Sequence, residues 1–165
     1  MDAPKRTQPR LKGYDYSANG AYFLTLCARN RARLFGCVVG AGVPDGPDVD
    51  LTFYGKIVQT RLEEMSRFYS DLHLDHYVIM PNHIHIMLTL DGTCGPSGTP
   101  APTNARIPAF VSALKRLTNR EAGTDLWQRS YHDHIIRDEN DFLAHWSYID
   151  GNAARWSEDE YYTNT

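Results

Sequence analysis

Two histidines separated by one residue are the first feature of the sequence that could do chemistry. His83 and His85 open an apolar run that ends at residue 90 and is typical of a β-strand. Because side chains alternate between the faces of a strand, both imidazoles point one way while Ile84 and Ile86 point the other. Imidazole binds several divalent metals. The pattern therefore predicts either a metal site or two packed histidines.

A second pair with the same spacing, His132 and His134, lies further along the chain. It could form a rival metal site, or it could supply supporting groups to the first pair if the two strands are neighbours. The first pair is preferred because it follows a Pro-Asn turn between two predicted strands.

A predicted helix over residues 141–156 carries two neighbouring stripes. One is apolar and must be buried, and it consists of Phe142, Trp146, Ile149, Ala153 and Trp156. The other is polar, lies one position earlier, and consists of Asp141, His145, Tyr148 and Asn152. Tyr148 can present its hydroxyl there or can simply pack, and Asn152 can offer an amide oxygen to a metal. Gly151 weakens the helix, so the helix can be loose or can end early at this point.

The remaining pattern predicts the elements that position these side chains. We expect strands over residues 20–28, 76–80 and 83–90 and around 134–137, with helices over 52–68 and 107–121. This order matches an α+β fold of the ferredoxin-like split βαβ type, an antiparallel sheet with helices, plus the C-terminal helix. We expect one domain over residues 1–165. Its irregular parts are an arm over 1–13, loops over 36–50 and 91–105, and an acidic tail over 157–165.

Charge is distributed unevenly along a chain whose net charge is −3. Residues 1–33 carry seven basic and two acidic side chains, and residues 106–137 carry six basic and three acidic ones. Phosphate binding responds to local clusters more than to total charge. The two segments therefore predict a DNA track, although ordinary solvated surface would look the same. The candidates for DNA contact are Arg29, Arg31, Arg33, Lys115, Arg116, Arg120 and Arg129, with Tyr14, Tyr16 and Trp127 as stacking groups.

Three widely spaced cysteines, Cys27, Cys37 and Cys94, form no C-x-x-C pair. This argues against a disulfide framework and against a structural zinc site, and we expect a reducing, cytoplasmic compartment. No apolar run is long enough to cross a bilayer, so we expect no membrane partner.

Several ordered segments together resemble the single-tyrosine transposases of the HUH type, and more closely the REP-associated tyrosine transposases. The central match is YVIMPNHIH at residues 77–85. The other segments are RLKGYDY at 10–16 with GAYF at 20–23, YGKI at 54–57, WQR at 127–129 with HIIR at 134–137, and YIDGN at 148–152. The resemblance covers nearly the whole chain outside the two loops and the extreme tail.

By this resemblance, His83, His85 and Asn152 are the protein ligands of a divalent metal, Mg²⁺ or Mn²⁺. Tyr148 is the nucleophile, which nicks and joins single-stranded or hairpin DNA through a 5′-phosphotyrosine. His134 and His145 are accessory candidates, the second as a proton acceptor. The resemblance leaves open whether the protein is a monomer or a homodimer.

Two departures from the family pattern keep other functions open. The run after Tyr148 and Ile149 is DGNA over residues 150–153, where the family usually has Asn-Asn-Pro. Before the acid and His134, where the family often has two aromatic residues, stand Tyr131 and His132. A catalytically decayed module that binds hairpin DNA is one alternative. A metal-dependent phosphoesterase without a covalent step is another.

Overall fold

The computed structural model describes residues 18–40, 46–92 and 106–164 of the chain. Three helices and two antiparallel sheets make up this part. The strands are β1 (Gly20–Cys27), β2 (Gly36–Val39), β3 (Asp48–Leu51), β4 (Leu72–Ile79), β5 (His83–Leu90) and β6 (His132–Ile136). The helices are α1 (Phe53–Phe68), α2 (Arg106–Ala122) and α3 (Glu139–Asp150). The arm over 1–13, Tyr14, Tyr16, Cys94 and most of the loop over 91–105 lie outside the described residues.

The main sheet has the strand order β4-β5-β1-β6, and every neighbouring pair is antiparallel. With α1 between β1 and β4 and α2 between β5 and β6, this is the split βαβ arrangement of a ferredoxin-like fold. The predicted fold class, α+β with an antiparallel sheet and helices, is confirmed.

The two faces of this sheet bury different sets of side chains. Leu24, Leu26, Ile84 and Ile86 point to one face and form the main core with the apolar stripes of α1 and α2. These stripes include Val58, Leu62, Phe110, Val111 and Leu114. The other face holds the two histidines of β5 and is covered by α3 through a small cluster of Phe23, Met87 and Ile149. The alternation predicted for β5 therefore decides which face becomes the site.

An irregularity in β4 adds a histidine to the site face. The strand register shifts between Leu74 and His76, which is a β-bulge at Asp75. Because a bulge reverses the alternation of side chains beyond it, His76 pairs with Met87 and faces α3, where its ring stacks on Trp146.

A glycine at the start of α1 allows a close contact with the segment before β2. A Cβ atom on Gly55 would collide with the backbone oxygen of Phe35. Thr52 caps this helix, since its hydroxyl accepts a hydrogen bond from the Gly55 amide. The predicted start of the helix at residue 52 is thus one residue early and marks its cap.

The prediction of a loop over residues 36–50 is wrong at both ends, where β2 and β3 form a two-stranded sheet. The run Cys37-Val38-Val39 favours a strand, and its partner strand satisfies the backbone. The prediction of a helix to residue 156 is also wrong, whereas its alternative of an early end at Gly151 is confirmed, since α3 ends at Asp150 with Gly151 as its cap. A series of turns follows, then a short 3₁₀ helix over Trp156–Glu158.

Among the described residues, no helix combines the length and the apolar character needed to span a bilayer.

Candidate active site

The paired histidines of β5 lie at the centre of the site. The side chains of His83 and His85 are almost completely buried, and their Nε2 atoms are 3.1 Å apart. Both project from the same face of the strand, as their spacing predicts. Two ring nitrogens that face each other at this distance are suited to share a cation or a proton.

Hydrogen bonds at the opposite ring nitrogens orient both imidazoles. Asn82 donates its Nδ2 protons to the carbonyl oxygens of Tyr161 (2.7 Å) and Arg31 (3.2 Å), so its Oδ1 is an acceptor. His83 Nδ1–H donates to that oxygen at 2.9 Å, which leaves His83 Nε2 with its lone pair. His85 Nδ1 is 2.8 Å from the hydroxyl oxygen of Thr25. Such partners set the orientation of histidines that bind metals.

Burial keeps both histidines neutral. It lowers the pKa of His83 to about 3, although the nearby amide of Asn152 opposes the shift. The pKa of His85 is also far below its usual value, first through burial and then through the neighbouring His83 and His145. Neutral imidazole is the form that coordinates a metal ion.

Asn152 lies immediately beyond α3 and is buried against this pair. Its Oδ1 atom is buried and has no hydrogen-bond partner among the described residues. A buried acceptor without a partner costs about 1–3 kcal/mol. An amide oxygen beside two neutral imidazoles fits a divalent cation, and so the residues present pass this test of the predicted metal site.

Tyr148 extends from α3 towards the same place. Its ring lies edge-on to that of His85, with centroids 5.2 Å apart, and also contacts Phe23. It lines a cleft of about 400 Å³ with Phe23, His85 and His145. Burial raises the pKa of Tyr148, and the charge of Asp159 raises it further. Its phenolic proton must therefore be taken up by another group before the oxygen can act as a nucleophile.

The two accessory histidines form a cluster around Asp141. His134 Nε2 is 2.9 Å from Asp141 Oδ2, and His145 Nδ1 is 3.0 Å from Asp141 Oδ1. The two rings stack with centroids 4.6 Å apart. His132 does not take part, since its side chain is exposed at an earlier position of the same strand face, opposite Thr25. The second histidine pair is thus divided, and His134 connects β6 to α3.

The acidic segment after residue 156 is a part of the site that sequence reasoning missed. Asp159 Oδ2 is 4.0 Å from His83 Nε2, and the Asp159 side chain is only 3% exposed. The ring of Tyr161 lies 4.7 Å from that of His83. The signal in the sequence was the aromatic residues among the acidic ones, since Trp156 and Tyr161 would be unusual in a solvated tail.

The basic residues proposed for DNA are not all on one surface. The Arg31 guanidinium lies over the Tyr161 ring, and Arg33 lies over Trp156 and Tyr162 and donates to the carbonyl oxygen of Thr163. Arg31 and Arg33 thus hold the C-terminal segment.

Lys115 is occupied in the structure. Its ammonium donates to the carbonyl oxygens of Gln128, Arg129 and Ser130, and burial lowers its pKa to about 8. This position argues against a direct phosphate contact and makes Lys115 the anchor of the segment that carries Arg129. Trp127 is likewise occupied. It is buried against Phe35 and donates its indole proton to Thr118, so it is not available for stacking on a base.

Arg29, Arg116, Arg120 and Arg129 are exposed. Arg29 and Arg129 lie on two segments joined by a bridge between Ala28 and Trp127. Arg116 and Arg120 are on α2, across the sheet from the histidine pair, and point away from the buried stripe of that helix.

Fold and site together define a ferredoxin-like domain that presents a buried His-x-His pair and a tyrosine on one face of its sheet. No family model matches the chain. The chain is 33% identical to an uncharacterized protein of Haemophilus influenzae over an alignment of 177 residues, which covers 96% of this chain and 94% of that protein. The chain belongs to the same family as that protein.

Solved structures extend the comparison to the fold. A REP-associated tyrosine transposase bound to a REP hairpin has a TM-score of 0.62 and 19% identity, over 88% of this chain and 74% of that chain. A transposase-like protein from Deinococcus radiodurans R1 has a TM-score of 0.42 and 21% identity, over 86% of this chain and 97% of that one. The first of these confirms the sequence resemblance at the level of the fold.

Proposed function

We propose that the protein nicks and joins single-stranded DNA at or beside a hairpin, with Tyr148 as the nucleophile and a divalent metal ion as cofactor. The observation that carries the proposal is the convergence of His83, His85, Asn152 and Tyr148 on one face of a ferredoxin-like sheet. Support for the substrate comes from the REP-associated tyrosine transposase, which has this fold and is bound to a REP hairpin.

The ion would be held by His83 Nε2, His85 Nε2 and Asn152 Oδ1, and Mg²⁺ or Mn²⁺ suits this mixture of nitrogen and oxygen donors. When bound, such an ion supplies Lewis-acid polarisation of a phosphoryl oxygen. The neutral histidines and the unpartnered amide oxygen support this assignment.

Tyr148 carries out the covalent step. Its Oη forms a bond to the phosphorus as the bond to the 3′-oxygen breaks, so the products are a 5′-phosphotyrosine and a free 3′-hydroxyl. In the joining step another 3′-hydroxyl attacks the phosphorus and the phenolate leaves. The phosphodiester linkage is conserved throughout, and neither step requires ATP.

His145 is a side chain suited to accept the Tyr148 proton. It lines the same cleft as Tyr148. Its Nδ1 is 2.8 Å from the Asp141 carbonyl oxygen and close to the Asp141 carboxylate. A ring that donates from Nδ1 has an acceptor at Nε2, and Asp141 supports the charge that protonation would create.

The DNA backbone would be bound first by the exposed basic side chains near the bridge between Ala28 and Trp127. Arg29 pairs there only weakly with Asp125, at 3.9 Å between exposed groups. Arg129 is the second of these side chains. Both are exposed to phosphates, and Arg29 would give up only its weak ion pair with Asp125.

A covalent-adduct assay tests the nucleophile. The protein is incubated with labelled single-stranded hairpins taken from the DNA beside its own gene, with Mn²⁺ or with a chelator, and run on a denaturing gel. We expect a shifted band that requires Mn²⁺, is lost in Tyr148→Phe and remains in Tyr162→Phe, a control in the nearby C-terminal segment. Adducts that persist in Tyr148→Phe would refute the nucleophile assignment.

A hairpin-binding protein that does not cut DNA is the second candidate. It is favoured by the raised pKa of Tyr148 and by the acidic segment that lies against the site. The departure from the family pattern at Gly151 does not favour it, because α3 ends there and a Cβ would meet only the end of the flexible Arg155 side chain. Tight retention of the hairpin on a native gel without any adduct would support this candidate.

A further inference from the structure

Asp159 is a buried carboxylate on the segment that follows α3. Its side chain is 3% exposed, and in the described parts of the chain its only ion-pair contact is with His83, which is neutral. Buried carboxylates are normally paired with a cation or bound to a metal. A cation bound at this position would therefore be stabilised by the carboxylate.

The carboxylate lies where such a charge would be bound. One ligand atom from each of His83, His85 and Asp159 falls within 4.8 Å of the other two. Two ligand atoms that are each roughly 2.0–2.3 Å from a single ion can be separated by up to twice that distance. The observed separation of the three ligand atoms is close to this limit. The unpartnered Oδ1 of Asn152 is beside them, and Asn152 also interacts with the Asp159 carboxyl.

Backbone and amide contacts hold the carboxylate in place. The Tyr161 amide donates to Asp159 Oδ1 at 2.8 Å, which leaves Oδ2 directed to His83. Asn82 links the two sides, because its Oδ1 accepts from His83 and its Nδ2 donates to the Tyr161 carbonyl oxygen. A single amide side chain thus fixes both a histidine and the turn that carries Asp159.

We propose that Asp159 is a fourth protein ligand of the divalent ion, together with His83, His85 and Asn152. The inference rests on the proposed metal site and deepens it. Two imidazoles and an amide bring no charge to a dication, whereas a carboxylate brings one negative charge and a hard oxygen donor. This ligand set favours Mn²⁺ and Mg²⁺, which prefer oxygen ligands.

Mn²⁺ binding to the full chain without DNA tests the proposal. The concentration of free Mn²⁺ is followed by its electron paramagnetic resonance signal during titration. Asp159→Asn keeps an oxygen that can accept from the Tyr161 amide and removes the charge. We expect its Kd for Mn²⁺ to rise at least about tenfold. Loss of a group that only supports a metal ligand already weakens metal affinity by about this factor, and loss of a ligand should weaken it at least as much. Glu139→Gln, a control that removes a carboxylate from the exposed first turn of α3, should stay within about twofold of the wild type.

His85→Ala separates this inference from the metal site itself. If Asp159→Asn binds Mn²⁺ like the wild type while His85→Ala does not, Asp159 is not a ligand but the site stands. If the wild type binds Mn²⁺ no better than His85→Ala, both the proposed metal site and the assignment of Asp159 as a ligand are wrong. The adduct assay with Tyr148→Phe reports on the nucleophile independently of both results.

A change of metal preference distinguishes the replacement of a metal ligand from a variant that merely disturbs the C-terminal segment. In Asp159→Cys a soft thiolate replaces the carboxylate, so binding should weaken for Mn²⁺ and strengthen for Cd²⁺ relative to the wild type. A misfolded segment would weaken both metals. Parallel losses for Mn²⁺ and Cd²⁺ would therefore overturn the assignment.

Discussion

At the scale of single residues, the site depends on which ring nitrogen of each histidine is already occupied. His83 Nδ1–H donates a hydrogen bond to Asn82, and His85 Nδ1 is hydrogen-bonded to the Thr25 hydroxyl. Both Nε2 atoms are therefore directed at one point, and burial keeps both imidazoles in the neutral form at neutral pH. The chemistry is set by neighbours that are not themselves ligands.

Thr25 provides a direct test of this view. Thr25→Val has nearly the same shape but removes the oxygen beside His85 Nδ1, so the imidazole loses its orientation. We expect the affinity for Mn²⁺ to fall by about 10- to 100-fold, the usual effect of losing a supporting hydrogen bond. Titration calorimetry on the protein without DNA would measure it.

Thr25→Ser is the matched control, since it keeps the hydroxyl and loses only a methyl group. Its affinity should be close to that of the wild type. Equal affinities in the Val and Ser variants would mean that packing alone positions His85.

At the scale of elements, α3 carries Tyr148 but is anchored mainly by polar contacts. Ile149 is its one fully buried side chain. At the N-terminal end, Asp141 is held between His134 and His145 and also accepts from the Arg137 amide. At the C-terminal end, Asp150 is 2.7 Å from His76. The position of the nucleophile therefore depends on histidine–carboxylate pairs at both ends of the helix.

Asp141→Asn should weaken the first of these anchors in a pH-dependent way. The hydrogen bond from His134 holds the pKa of Asp141 below its usual value. A carboxyl with a lower pKa in the folded state stabilises the fold above its unfolded value, near 3.9, and loses that contribution as the pH falls through the folded value. We therefore expect Asp141→Asn to lower the free energy of unfolding at pH 7 and the difference to shrink below about pH 4.

Urea unfolding across this pH range gives the measurement, with Glu139→Gln on the exposed first turn of α3 as the control. A deficit in Asp141→Asn that is constant from pH 7 to pH 3 would show that the carboxylate charge does not matter. Adduct formation should also slow in Asp141→Asn, because α3 loses an anchor, while Mn²⁺ affinity should fall less, since His83 and His85 are held on β5.

The sequence predicted the elements best where one strong pattern decided the outcome. β5 has the predicted bounds because alternating histidine and isoleucine can satisfy only one register. The end of α3 was misjudged because Ala153 and Trp156 continue the helical spacing by chance, although the chain between them is a turn. The bulge that turns His76 to the site could not be predicted, since only pairing with β5 creates it.

At the scale of the whole molecule, the site joins residues far apart in sequence. His83 and Asp159 meet because the chain after α3 folds back across the sheet, where Arg31 and Arg33 hold it through Tyr161, Trp156 and Thr163. Composition alone marked this segment as an acidic tail. Its role could not be predicted because the contacts that define it are all long-range.

The same folding divides four of the predicted DNA-binding arginines into two pairs that salt dependence can distinguish. Arg29 and Arg129 are exposed near the bridge between Ala28 and Trp127, whereas Arg116 and Arg120 lie on α2 beyond the core.

The logarithm of the DNA-binding constant falls linearly with the logarithm of the salt concentration. For a single strand, each phosphate contact contributes about −0.7 to the slope of this line. A double variant Arg29→Gln, Arg129→Gln should flatten this slope by about 1.4 for a hairpin with single-stranded flanks. The control pair Arg116→Gln, Arg120→Gln removes the same charge and should leave the slope unchanged. If the α2 pair flattens the slope and the first pair does not, the DNA lies across the helical face of the sheet, and the proposed path from the exposed arginines to Tyr148 is wrong.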